Sequence, residues 1–186
     1  MPLEDEIGAA REAARRFADE GEDVVGVVPA EPGDGHRVYL CAFSAGEVHR
    51  WLALDAGGQP VADRRLVRDA VSIAALCEVA EESAGGGDIG ELRASLVELR
   101  LTENPEGIEE AEVAAAELQE TIERQPRVAS AAYLDAIGLA AGRLEQALGG
   151  GRSPFAEAMK AGAGAAEDLA SEVERAYKAP LGEAVR

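Results

Sequence analysis

Apolar residues near the start of the chain recur at spacings of three and four: Ile7, Ala10, Ala14 and Phe17, with Arg11, Arg15 and Arg16 falling mostly elsewhere. That period lines one side of a helix. It predicts a helix over 2–20, stopped at Gly21. The period then changes. VVGVV (24–28), RVYLCAF (37–43) and VHRWLAL (48–54) are short and rich in β-branched and aromatic residues, which predicts three strands. PAEPGDG joins the first two, SAG the next two, and DAGGQP closes the run at 55–60. Strands joined so briefly pair antiparallel, as a meander. Val61 is where a fourth short strand would begin.

Beyond residue 62 the helical period takes over. Asp63 is placed to cap a helix ending near Ser83, whose apolar residues Leu66, Val67, Ala70, Val71, Ile73, Ala74, Leu76 and Cys77 cover most of its circumference. A helix that apolar is expected to be central, packed on the aliphatic face of the sheet. AGGGD (84–88) breaks it, and Ile89, Leu92, Leu96 and Leu99 form the next stripe. Asn104-Pro105 reads as a helix start, an N-cap with proline at the first helical position. Ile108, Ala111, Ala115, Leu118 and Ile122 then take heptad spacing, which Gln125-Pro126 interrupts. Leu134, Ile137, Ala141, Leu144 and Leu148 repeat it up to the glycines at 149–151. After Ser153-Pro154 the last stripe is Phe155, Met159, Gly162, Ala166, Leu169, Val173 and Ala176.

The expected fold is therefore α+β: an N-terminal helix, a three-stranded antiparallel β-meander, then about five mostly antiparallel helices forming a bundle. The division expected from the pattern is a sheet-containing region over 1–84 and a helical region over 85–186, packed together as one compact domain.

Composition sharpens this picture. Hydrophobic residues make up 47% of the 186 and charged ones 29%, so the chain is globular rather than disordered. Aromatics are only 4%, and much of the apolar content is alanine. Small side chains let helix axes approach closely. The formal charge is −18, from 36 acidic and 18 basic residues. Such a field repels phosphate backbones and anionic lipid surfaces, so neither nucleic acid nor membrane is an expected partner. No early apolar run resembles a signal peptide, and no window approaches the roughly 18 apolar residues of a membrane span. Cys41 and Cys77 stand alone on different elements. Two lone thiols fit a reducing, cytoplasmic setting.

The hairpin HRVYLCAFSAGEVHRW (36–51) holds both histidines, one cysteine and the only tryptophan. Its loop decides which residues face each other. A three-residue loop at Ser44-Ala45-Gly46 pairs Phe43 with Glu47, Cys41 with His49, and Tyr39 with Trp51. One face then becomes aliphatic, with Val38, Leu40, Ala42, Val48, Leu52 and Leu54. The other carries Tyr39, Phe43, His49 and Trp51 and is the expected interface or ligand face. A two-residue loop at Ala45-Gly46 would instead set Cys41 opposite Arg50 and His49 opposite Ala42. In the first register Cys41 and His49 have β-carbons roughly 5 Å apart. A thiol beside an imidazole is the minimum for an activated nucleophile. No third group orients the histidine, and mid-strand positions seldom carry nucleophiles. The plainer reading is a packed cysteine, histidine and aromatic pair.

Among Glu78, Glu81 and Glu82, spacings of three and four place Glu78 with Glu82, or Glu78 with Glu81, on one helical face, as a carboxylate-bridged metal site needs. Such sites normally include Glu-x-x-His, and the helical half holds no histidine. A solvated acidic face is the expectation, with no metal and no cofactor. AGGGDIG (84–90) lacks the lysine and hydroxyl of a phosphate loop, and no serine sits in a G-x-S-x-G elbow. Catalytic side chains are sparse and scattered. The leading reading is a soluble, non-enzymatic interaction protein or scaffold that binds a protein partner or a second copy of itself. One alternative is a small apolar ligand held between sheet and helices by His49, Tyr39 or Arg50. Another is a cysteine-dependent enzyme at Cys41 and His49.

Overall fold

A computed structural model describes residues 2–33, 35–85, 88–124, 128–150 and 154–177. The fold is α+β. In chain order it comprises α1 (Leu3–Arg15), β1 (Asp23–Gly33), β2 (His36–Ala45), β3 (Val48–Leu54), α2 (Arg64–Gly85), α3 (Asp88–Thr102), α4 (Ile108–Glu123), β4 (Ala129–Ser130), α5 (Ala131–Ala147) and α6 (Pro154–Ala176). The meander β1–β2–β3 is antiparallel as the pattern predicts. The sheet has a fourth strand, in the order β3-β2-β1-β4, with β4 parallel to β1 through Ala30↔Ala129 and Glu31↔Ser130. Two residues give no period, so β4 had no sequence signal. At the place where a fourth strand was anticipated there is a single bridge, Leu54↔Pro60, with the Val61 amide donating to the Ala53 carbonyl.

The chain forms two compact units: residues 1–74, 127–130 and 166–186, and residues 75–126 and 131–165. The pattern had placed one division, between 84 and 85. The actual units are drawn from separated segments, because β4 pairs with the sheet while Ala170 and Tyr177 join the buried cluster of the strands.

In the first unit the sheet is buried on both sides at one end. Tyr39, Cys41 and Phe43 of β2 and Leu52 and Leu54 of β3 are buried on the side facing α1. Val38, Leu40 and Ala53 are buried on the other side. Val67, Ala70 and Val71 of α2 belong to the same cluster. Asp63 caps α2 as expected, its carboxylate accepting the amides of Arg65 (2.9 Å) and Leu66 (3.4 Å). The 55–58 loop packs against α1: a β-carbon on Gly58 would lie 2.8 Å from that of Ala13, at φ +71°, so this position needs glycine.

In the second unit, Ile108, Ala111, Ala114, Ala115, Leu118 and Ile122 of α4 are buried, matching the heptad stripe with Ala114 added. On α5 the buried set is Tyr133, Ile137, Ala140 and Leu144, so Tyr133 and Ala140 replace the expected Leu134 and Ala141. Asn104 does not cap α4, which starts at Ile108 after Gly107 (φ 84°). Asn104 instead takes a left-handed conformation (φ 46°) and donates to the Leu99 carbonyl, closing the end of α3. Asn-Pro signals a chain reversal here, and asparagine serves either helix end. The Gln125-Pro126 break and Ser153 lie outside the described residues.

Candidate functional site

The β2–β3 turn lies later than either loop considered from sequence, with two residues like the Ala45-Gly46 alternative rather than three. Ala45 pairs with Val48, so only Gly46 and Glu47 form the turn. Gly46 has φ +70°, the conformation a two-residue hairpin favours at its first central position, and the Ser44 hydroxyl donates to the Gly46 carbonyl. The register follows: Ser44↔His49, Phe43↔Arg50, Ala42↔Trp51, Cys41↔Leu52 and Tyr39↔Leu54. Each pairing differs from the expected one, and an odd shift moves every β3 side chain to the other face.

The four residues taken for one face therefore divide. Tyr39 and Phe43 lie buried on the α1 side. His49 and Trp51 lie on the opposite side, both exposed. Arg50 explains why this register wins. Its guanidinium sits 4.3 Å from the centroid of the Phe43 ring, donates to the Phe17 carbonyl (2.8 Å), and pairs with Glu22 at 2.6 Å. The three-residue loop would have put Arg50 on the aliphatic face; the two-residue alternative, which set Cys41 opposite Arg50, already placed it on the face of Phe43, though two positions out of register.

A second clamp holds the other end of α1. Glu6 accepts hydrogen bonds from the Tyr39 hydroxyl (2.7 Å) and from Arg37 (2.6 Å), and Arg37 also pairs with Glu31. These bonds hold the Glu6 carboxyl below its usual range, Tyr39 first and Arg37 second. Hydrogen bonding from Arg50 holds Glu22 lower still, at about 2. The Tyr39 hydroxyl titrates higher than usual, from burial first and then from Glu6. Of the three polar groups that a ligand was expected to use, Tyr39 and Arg50 are engaged within the chain, while His49 is exposed. Among the described residues every buried side-chain nitrogen and oxygen has a hydrogen-bond partner.

Cys41 is fully buried, with its Sγ 3.6 Å from the Tyr39 carbonyl. Burial pushes its thiol up to about 11, Arg11 opposing only weakly. His49 is on the far face of the sheet, paired with Ser44. The two therefore form no dyad, since the imidazole lies across the sheet from the thiol and burial favours the neutral thiol. Among the described residues no three His, Cys, Asp or Glu side chains are grouped to hold a metal ion, so Glu78, Glu81 and Glu82 make no such set. Burial, then Glu78, raises the Glu81 carboxyl.

What stays open is one end of the sheet face opposite α1. Gly26, Ala42 and Trp51 form one cross-strand row, and Val28, Leu40 and Ala53 the next. Trp51 is 46% exposed and Val28 38%, while Leu40 and Ala53 are buried. Asp23, Ser44 and His49 form the row on the other side, nearest the turn. The result is a shallow apolar strip with an indole at one margin, small residues in the middle and an acidic edge. Sequence reasoning put Trp51 and His49 on one face with Tyr39 and Phe43; the structure keeps Trp51 and His49 together but on the face opposite Tyr39 and Phe43. Among the described residues no helix is long and apolar enough to cross a membrane. Compared with known proteins, the chain matches no family model, no curated protein and no solved structure.

Proposed function

We propose that this is a soluble, cytoplasmic, non-enzymatic protein whose work is to hold another polypeptide on the open end of its sheet, as an adaptor or through self-association. The observation that carries the reading is Trp51, an indole 46% exposed on an edge strand beside the small residues Ala42 and Gly26. Tryptophan is costly to leave in water and is a frequent anchor of interfaces. The polar side chains of the hairpin support the same reading by elimination. Arg37, Tyr39 and Arg50 are spent on fixing α1, and Cys41 is a neutral, buried thiol.

Sedimentation with Trp51 emission as a second signal tests this. The expected result is a water-exposed indole in the isolated chain and a blue shift on association. If the isolated chain associates, Trp51→Ala should shift it towards monomer. A monomer at high micromolar concentration whose Trp51 emission is already fully blue-shifted overturns the reading, because the indole would then be covered within the chain.

A further inference from the structure

The geometry points to a specific mode of binding, which rests on the reading above: the free edge of β3 accepts an extended, basic segment of another protein as an added strand. In a strand, the amide and carbonyl of one residue point to the same side, and successive residues alternate. The Ala53 carbonyl accepts from Val61, and the Asp55 amide donates to Gln59, so the odd-numbered residues point away from β2. That assigns the backbone groups of His49 and Trp51 to the outer edge. β3 is the last strand of the sheet, and among the described residues its edge is bonded at Ala53 and Asp55, by the 59–61 segment. Two donors and two acceptors at His49 and Trp51 thus face outward beside an exposed indole. Unpaired edge groups with an adjacent side-chain platform are what strand addition uses.

Charge selects the occupant. Exposed Glu47 sits in the turn, and exposed Asp23 shares the row of His49. Asp19 lies close enough to act on Arg50, whose own charge is matched by Glu22. The whole chain carries −18. A second copy would bring the same field to the edge and be repelled. A segment alternating lysine or arginine with apolar residues is attracted, and its cations can lie over the Trp51 ring.

The test uses a capped peptide alternating lysine and valine, followed by calorimetry and by Trp51 emission in the full chain. Binding with a blue shift is expected, weakening as salt rises. The same peptide methylated on alternate backbone amides keeps its charge but cannot pair, and should bind about tenfold more weakly or worse. His49→Pro removes only an outward amide and should weaken binding by a similar factor, whereas His49→Ala keeps that amide and should bind like the parent. Equal binding of the methylated peptide overturns the edge assignment, whatever His49→Pro does to folding. So does a glutamate–valine peptide that binds as well as the lysine one. If no peptide binds while the chain self-associates through Trp51, strand addition by a basic segment fails but the interaction reading stands. A blue-shifted indole in the isolated monomer removes both.

Discussion

In the sheet unit, polar side chains tie together segments far apart in the chain. Arg37 and Tyr39 of β2 both reach Glu6 of α1, Arg50 of β3 reaches Glu22 and the Phe17 carbonyl, and the Tyr177 hydroxyl donates to the Ala53 and Val61 carbonyls. In the helical unit the ion pairs Arg143 with Glu117 and Arg124 with Glu120 are exposed, Arg100 with Glu112 is half-buried, and the Tyr133 hydroxyl donates to the Ile122 carbonyl. There, besides buried aliphatic side chains, α6 and α2 approach closely through a glycine. A β-carbon on Gly162 of α6 would lie 2.7 Å from Cγ1 of Val79 on α2. The comparison teaches that an alanine-rich chain uses two means of holding segments. Helices can be brought near by removing side chains. A helix lying on a sheet has a fixed spacing to fill, and here its ends are secured by buried or half-buried charge-assisted hydrogen bonds.

The sharpest way to break this contrast is in the sheet core. Phe43 is fully buried and carries Arg50 on its ring, so Phe43→Ala should cost about 3–5 kcal/mol in urea unfolding. A loss under about 1 kcal/mol would mean that the Arg50 clamp alone holds α1. Next comes the helical contact. Gly162→Ala gains about 1 kcal/mol of helix propensity, but overpacking against a stiff valine costs about 1–3 kcal/mol, so a net loss is expected. Gly138→Ala on α5 meets nothing within 4 Å and should instead stabilise by about 0.5–1 kcal/mol. If both glycines respond alike, close approach is not what shapes this unit.

The smallest effect is in acid, and it separates the units by sign. Glu22 and Glu6 have folded pKa values below their unfolded ones. Their stabilisation is present near neutral pH and is lost as pH falls from about 4, for Glu22 through its folded value of about 2. Glu81 is raised, so its ionisation opposes folding and acid relieves it. Trp51 fluorescence, reporting the sheet unit, should therefore show an earlier acid transition than far-ultraviolet dichroism of the helices. Glu22→Gln should flatten the fluorescence-detected decline. Coincident transitions that Glu22→Gln leaves unchanged contradict the assignment.

The hydrophobic period by itself determined the α+β class, the meander, the Asp63 cap and the α4 stripe, because each is a local pattern with a local cause. It also put Trp51 and His49 on a common face of β3. It did not determine the hairpin register, since two loops of nearly equal local merit were open and the actual turn, Gly46-Glu47, was neither. That choice was made by contacts distant in sequence: Arg50 finding Glu22 and the Phe17 carbonyl, and Leu52 and Leu54 filling the space under α1. For the same reason the stripe of α6 was only partly legible: Ala166 is buried and Val173 packs on the core as expected, while the side chain of Phe155 lies outside the described residues. Leu169 is exposed while Ala170 and Tyr177 are buried, because Tyr177 has hydrogen-bond acceptors waiting on β3 and beyond it. Only the tertiary structure decided which face of the sheet took Cys41, which guanidinium was spent and which strand edge stayed open. Those outcomes depend on which faces meet, and a one-residue shift in pairing reverses them.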